Sequence, residues 1–121
     1  MQKTIDKILL CNLKLLNKKK YHIIWIDEWK DELIVFKNEK NEIKIFSSIC
    51  PHFGGEIVYD SKENILKCKW HGWKFCTKKG KCLTHNILGK LQNYEFAIEP
   101  KNLQNFSYII DKDNVYAIRN T

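Results

Sequence analysis

Apolar residues recur along this chain in short alternating stretches broken by turn-forming clusters, the pattern of strands rather than of long helices. Residues 21–26 are rich in β-branched and aromatic side chains, and residues 33–36 and 42–46 flank the turn sequence Asn38-Glu39-Lys40-Asn41. Alternation in the second of these is imperfect, with Lys44 out and Ile45 in beside Ile43 and Phe46. Further short strands are predicted at 56–59, 65–67 and 74–76, with Lys78-Lys79-Gly80 as a turn, and another at 94–98. Residues 107–110 and 115–118, joined by Asp111-Lys112-Asp113-Asn114, read as a hairpin. Residues 1–19 support two readings. Ile5, Ile8, Leu9, Leu13 and Leu16 make a helical stripe, but Leu10, Cys11 and Leu15 interrupt it, so a short strand and a loop fit equally well. Many short strands with frequent turns define an all-β sandwich or small barrel.

Composition narrows the function classes. The chain has 121 residues, 44% hydrophobic and 29% charged, which is the size of one domain, residues 1–121, with a modest core. No apolar run exceeds four residues, so neither a membrane span nor an export signal is expected, and the expected compartment is the cytoplasm. The net charge is +7, yet 20 of the 21 basic residues are lysine and only Arg119 is arginine. Lysines spread evenly, in a chain with 16 Ile and 11 Asn, describe a solvated surface rather than a nucleic-acid site, which favours arginine forks. The positive field still favours encounter with an acidic protein. Five cysteines, an odd number, argue against a disulfide framework and leave metal binding as the question.

Two segments break the strand pattern: Cys50-Pro51-His52-Phe53-Gly54-Gly55 and Cys68-Lys69-Trp70-His71-Gly72-Trp73. The spacing is Cys-x-His, fifteen residues, then Cys-x-x-His. Each segment supplies one thiolate and one imidazole, and glycine follows each histidine within two residues. Two such loops brought to one end of a sheet offer two sulfurs to one metal and two nitrogens to a second, while glycine lets backbone N–H groups approach an anionic sulfide. A single zinc ion is the rival, since two Cys and two His form a zinc set, although zinc fingers pair Cys with Cys and His with His. Cys11, Cys76 and Cys82 read as small buried hydrophobes, and His22 and His85 as structural or surface residues. Trp70 and Trp73 bracket His71 as shielding or as a partner contact. Lys67, Lys69 and Lys74 lie around the second loop as a possible docking rim.

These two segments resemble the signature of the Rieske [2Fe–2S] family, in which two histidines replace two cysteines on one iron. The resemblance implies stacked antiparallel sheets with a small cluster-binding subdomain at about 47–83. It implies one [2Fe–2S] cluster, with Cys50 and Cys68 on the inner iron and His52 and His71 on the outer. The high-potential respiratory members carry one further Cys in each loop, where this chain has Gly55 and Trp70, and a Ser and a Tyr where it has Trp73 and Phe75. A low potential, roughly −150 mV, is therefore expected. Function follows the same likeness: a monomeric electron carrier passing single electrons from a flavin reductase to a terminal oxygenase, and not itself a catalyst. The alternative is the Rieske subunit or domain of a non-haem iron oxygenase, to whose His-Gly-Trp sequences His71-Gly72-Trp73 is similar. A module of a sugar-hydroxylase system, or a regulatory subunit, is a third reading.

Overall fold

The computed structural model describes residues 5–49, 55–69, 72–81, 83 and 103–120. Among these residues, nine strands and one short helix follow in order: β1 (Ile5–Asn12), α1 (Leu13–Lys18), β2 (His22–Ile26), β3 (Asp31–Lys37), β4 (Ile43–Ser47), β5 (Ile57–Asp60), β6 (Ile65–Cys68), β7 (Lys74–Cys76), β8 (Asn105–Asp111) and β9 (Asn114–Asn120). They form a six-stranded antiparallel sheet, β1-β9-β8-β4-β3-β2, and a three-stranded antiparallel sheet, β5-β6-β7. The all-β expectation therefore holds, with two stacked sheets. The strand expected at 94–98 lies outside the described residues.

Successive residues of β3 take opposite sides of the larger sheet, and both sides are apolar. Leu33 and Val35 join Leu10, Leu16, Ile26, Ile43, Ile45 and Val115 in one core. Ile34 and Phe36 join Phe46, Ile57, Tyr59, Leu66, Trp73 and Phe75 in the other, between the two sheets. This explains the imperfect alternation of β4: Ile43 and Ile45 face the first core, and Phe46 faces the second. Phe36 locks the sheets together, stacked on Tyr59 with ring centroids 4.0 Å apart and on Phe46 at 6.2 Å. Burying each such side chain stabilises the fold by about 1.5–3 kcal/mol.

At the N-terminus neither reading holds whole: the expected helical stripe is a strand as far as Asn12, and the loop expected after a strand is the short helix α1. β1 pairs with β9, and a register shift between Leu9 and Cys11 brings the consecutive residues Leu10 and Cys11 into the core. This bulge is why these two residues spoil a helical stripe. Asn12 then caps α1 by accepting a hydrogen bond from the Lys14 N–H at 2.9 Å, and Leu16 is buried beneath the helix. The β8–β9 hairpin closes through Lys112 and Asp113, both at positive φ, with Asp111 opposite Asn114. This is the two-residue turn that matches strand twist. After β7, Gly80 sits at φ +75°, and a Cβ there would lie 2.5 Å from the Leu103 carbonyl oxygen. The close approach lets the Leu103 N–H donate to the Gly80 carbonyl at 2.8 Å and seats Leu103 in the core.

Candidate metal centre

The stems of both signature loops are built from backbone hydrogen bonds at one end of the smaller sheet. After β4 the chain makes a single antiparallel bridge, Ile49 to Glu56, which closes the base of the first loop. Beside it, the Ile57 N–H donates to the Ser48 carbonyl at 2.7 Å. In the next register position Ile57 faces Cys68, and the Lys69 N–H donates to the Glu56 carbonyl at 2.8 Å. The second loop leaves from Cys68 and returns at Trp73, closed by the Cys68 N–H donating to the Trp73 carbonyl at 2.7 Å. Segments 48–49, 56–57, 68–69 and 73 therefore run side by side, and the two loops leave from adjacent positions.

Of the four expected ligands, the structure places Cys68. It ends β6, is 1% exposed, and packs in the inter-sheet core with Leu66, Trp73 and Phe75. Cys50, His52 and His71 lie outside the described residues, as do Trp70, Cys82 and His85. Cys50 is the residue immediately after Ile49, so the chain enters the first loop at a position fixed by the bridge. Gly72 adopts φ +70°, and its N–H donates to the Cys68 carbonyl at 2.9 Å, so the second loop needs glycine for its backbone turn. Trp73 is core packing behind Cys68. Among the described residues no group of three His, Cys, Asp or Glu side chains could hold a metal ion. A buried thiol at the junction of two adjacent stems fits a thiolate-ligated cluster, one sulfur coming from each stem.

One sequence reading needs correction. Cys76 is a half-buried residue rather than a core filler: its sulfur accepts the Lys81 N–H at 3.3 Å. Burial pushes this thiol up, but the backbone N–H groups of Lys79, Lys81, Lys78 and Gly80 outweigh it, and the net shift is downward. Cys11, by contrast, is buried as expected, and burial raises its thiol. The lysines around the second loop each lie beside a carboxylate. Lys67 lies 2.9 Å from Asp60, Lys69 lies 3.8 Å from Glu56, and Lys74 lies 3.8 Å from Glu63. His22 on β2 is held below the usual histidine range by partial burial and by Lys19, in keeping with a structural role.

Sequence reading missed a polar pair of contacts at the first stem. The Ser48 hydroxyl, fully buried, donates to the Glu32 carboxylate at 2.8 Å, and the Ser47 hydroxyl donates to the Asp31 carboxylate at 3.1 Å. The available signal was an acidic dipeptide, Asp31-Glu32, just before the strand expected at 33–36, and a serine dipeptide, Ser47-Ser48, just after the one expected at 42–46.

An all-β fold of two sheets, with a thiol-bearing loop stem beside a second stem that leads into Cys50 and His52, fits a small iron–sulfur domain. The family model for the Rieske [2Fe-2S] domain matches residues 7–95, and the chain belongs to that family. Its domain binds a [2Fe–2S] cluster. The chain is 36% identical over 55 residues to a cholesterol 7-desaturase of Hemicentrotus pulcherrimus, covering 44% of this chain and 12% of that protein. It is 33% identical over 54 residues to the oxygenase subunit of a 3-chlorobenzoate-3,4-dioxygenase of Comamonas testosteroni, again 44% and 12%. The chain thus spans about an eighth of the length of the curated relatives it matches. Its fold is similar to that of a Sphingomonas yanoikuyae B1 ferredoxin, with a TM-score of 0.66 at 16% identity over 94% of this chain and 99% of that one. Among the described residues no helix is long and apolar enough to cross a membrane.

Proposed function

We propose that this chain is a one-electron carrier whose Cys50 and Cys68 thiolates and His52 and His71 imidazoles hold one [2Fe–2S] cluster. The observation that carries this reading is the hydrogen-bonded adjacency of the two loop stems, with the Cys68 thiol buried at their junction. When bound, such a cluster supplies single-electron uptake and release. The chain's own residues give it a dry inner side, since Leu66, Trp73 and Phe75 pack with Cys68. Positions 73 and 75 carry no hydroxyl to stabilise a reduced cluster, which supports a potential at the low end of the Rieske range, about −150 mV. In this reading residues 1–121 are one domain, residues 47–83 its cluster-binding part, and the protein works as a monomer in the cytoplasm. A flavin reductase supplies the electrons and a terminal oxygenase receives them.

Two observations support different placements in an oxygenase system. Likeness to a ferredoxin over nearly all of both chains supports the carrier. Likeness in sequence to an oxygenase subunit, together with His71-Gly72-Trp73, supports the second reading, a Rieske subunit or domain of a non-haem iron oxygenase. Stopped-flow mixing of the photoreduced protein with a Rieske-dependent oxygenase separates them. A carrier is reoxidised in step with product formed by the oxygenase, and forms no product alone. Substrate oxidation without added oxygenase, or a third iron per chain, contradicts the carrier and establishes the second reading.

A further inference from the structure

Among the described residues, the first loop is closed past β4 by one isolated bridge, Ile49 to Glu56, whereas the second loop continues a paired hairpin. Such a bridge gives the chain little resistance to fraying, yet the next residue is Cys50. Additional restraint comes from β3. The Ser48 N–H donates to the Glu32 carbonyl at 2.7 Å while the Ser48 hydroxyl donates to the Glu32 carboxylate at 2.8 Å, so a single residue grips Ser48 twice. On the other side the Ser48 carbonyl accepts the Ile57 N–H at 2.7 Å. Ser47 repeats the theme more loosely, donating to Asp31 at 3.1 Å and accepting the Ile49 N–H at 3.4 Å.

The hydroxyl of Ser48 is the tightest point of this arrangement. Ser48 is 0% exposed, so no solvent competes for its hydroxyl, and a hydrogen bond to an ionised acceptor is stronger than one between neutral groups. Losing the acceptor leaves a buried donor unsatisfied at the point where the chain leaves the central sheet for the ligand loop.

We infer that Glu32 is a positioning residue for the cluster, acting through Ser48 on the loop that carries Cys50 and His52. This rests on the ligand assignment proposed above. Glu32 ties Ser48 to β3 and so to the core of the larger sheet, which fixes where the loop starts.

The test uses the cluster-loaded protein and the substitutions Glu32→Ala, Glu32→Gln and Glu32→Asp, with Asp27→Ala as a control in an exposed ion pair. Glutamine keeps an acceptor at the right reach, whereas aspartate is one methylene too short. In Glu32→Ala and Glu32→Asp, chelator-driven loss of the visible absorption is expected to be about three- to tenfold faster. The EPR g-values and midpoint potential of the reduced protein should shift with it. Glu32→Gln should return all three toward wild type, and Asp27→Ala should change none. A lower melting temperature with unchanged EPR and potential overturns the inference, as does a glutamine variant that behaves like alanine. If Glu32→Ala does not fold, Glu32→Asp decides by the same criteria. Cys68→Ser runs in parallel: a native spectrum in that variant overturns the ligand assignment itself, whatever the Glu32 series shows.

Discussion

Cys68 and Cys76 sit at opposite ends of the β6–β7 hairpin and differ in what surrounds the sulfur. Cys68 is closed off by the inter-sheet core at the loop end, while Cys76 is half-buried and faces backbone N–H groups of the 78–81 turn. The account therefore separates them sharply. Cys68→Ser should abolish the visible absorption and EPR signal of the purified protein, and Cys76→Ser should leave both unchanged; the reverse pattern would show that the wrong thiol has been assigned. Cys68 could be singled out as a candidate ligand because ligand spacing is a property of sequence. The setting of Cys76 was not, because it depends on Gly80 turning the chain at positive φ under Leu103, a contact between residues distant in sequence. Ser48 was hidden for a related reason: its partner, Glu32, lies on another strand and meets it only through the β3–β4 register.

The β5–β6 hairpin shows how charge supports the element that ends in Cys68, the proposed ligand. Asp60 and Lys67 face each other at 2.9 Å, with Glu63 3.8 Å from the same lysine. The Lys67 ammonium, followed by the backbone N–H groups of Glu63 and Lys62, holds the Asp60 carboxyl below its ordinary value. A carboxyl depressed in the folded state contributes stability that is present above its unfolded value and is lost as pH falls through the folded one. The melting temperature of the protein should therefore decline on acidification through the carboxylate range, and Asp60→Asn should flatten that decline. An equal slope in the variant would assign the acid sensitivity to other carboxylates. The hairpin itself was readable, since residues 56–59 and 65–67 are short strand-like stretches on either side of the turn residues 60–64. Less readable was β3, because four consecutive apolar residues, Leu33 to Phe36, carry no periodicity when both faces of a sheet are covered. The first 19 residues resisted assignment because a bulged strand and a capped helix share them, and the bulge shifts the alternation out of phase.

At the scale of the whole molecule, the larger sheet serves as the platform and the smaller sheet as the mount for the two loops. The six-stranded sheet supplies a core on each of its faces, and Phe36 and Phe46 couple one of them to Tyr59 of the smaller sheet. Hydrogen bonds from Glu32 through Ser48 to Ile57 carry that rigidity to the loop stems. Everything functional depends on the two loops holding one binuclear centre between them. The most direct measurement is iron and acid-labile sulfide counting on anaerobically purified protein, joined to EPR of the dithionite-reduced form. Two irons and two sulfides per chain are expected, with a single S = ½ signal of a mixed-ligand [2Fe–2S] centre. One zinc per chain with no labile sulfide, or a stable protein that binds no metal, would contradict it.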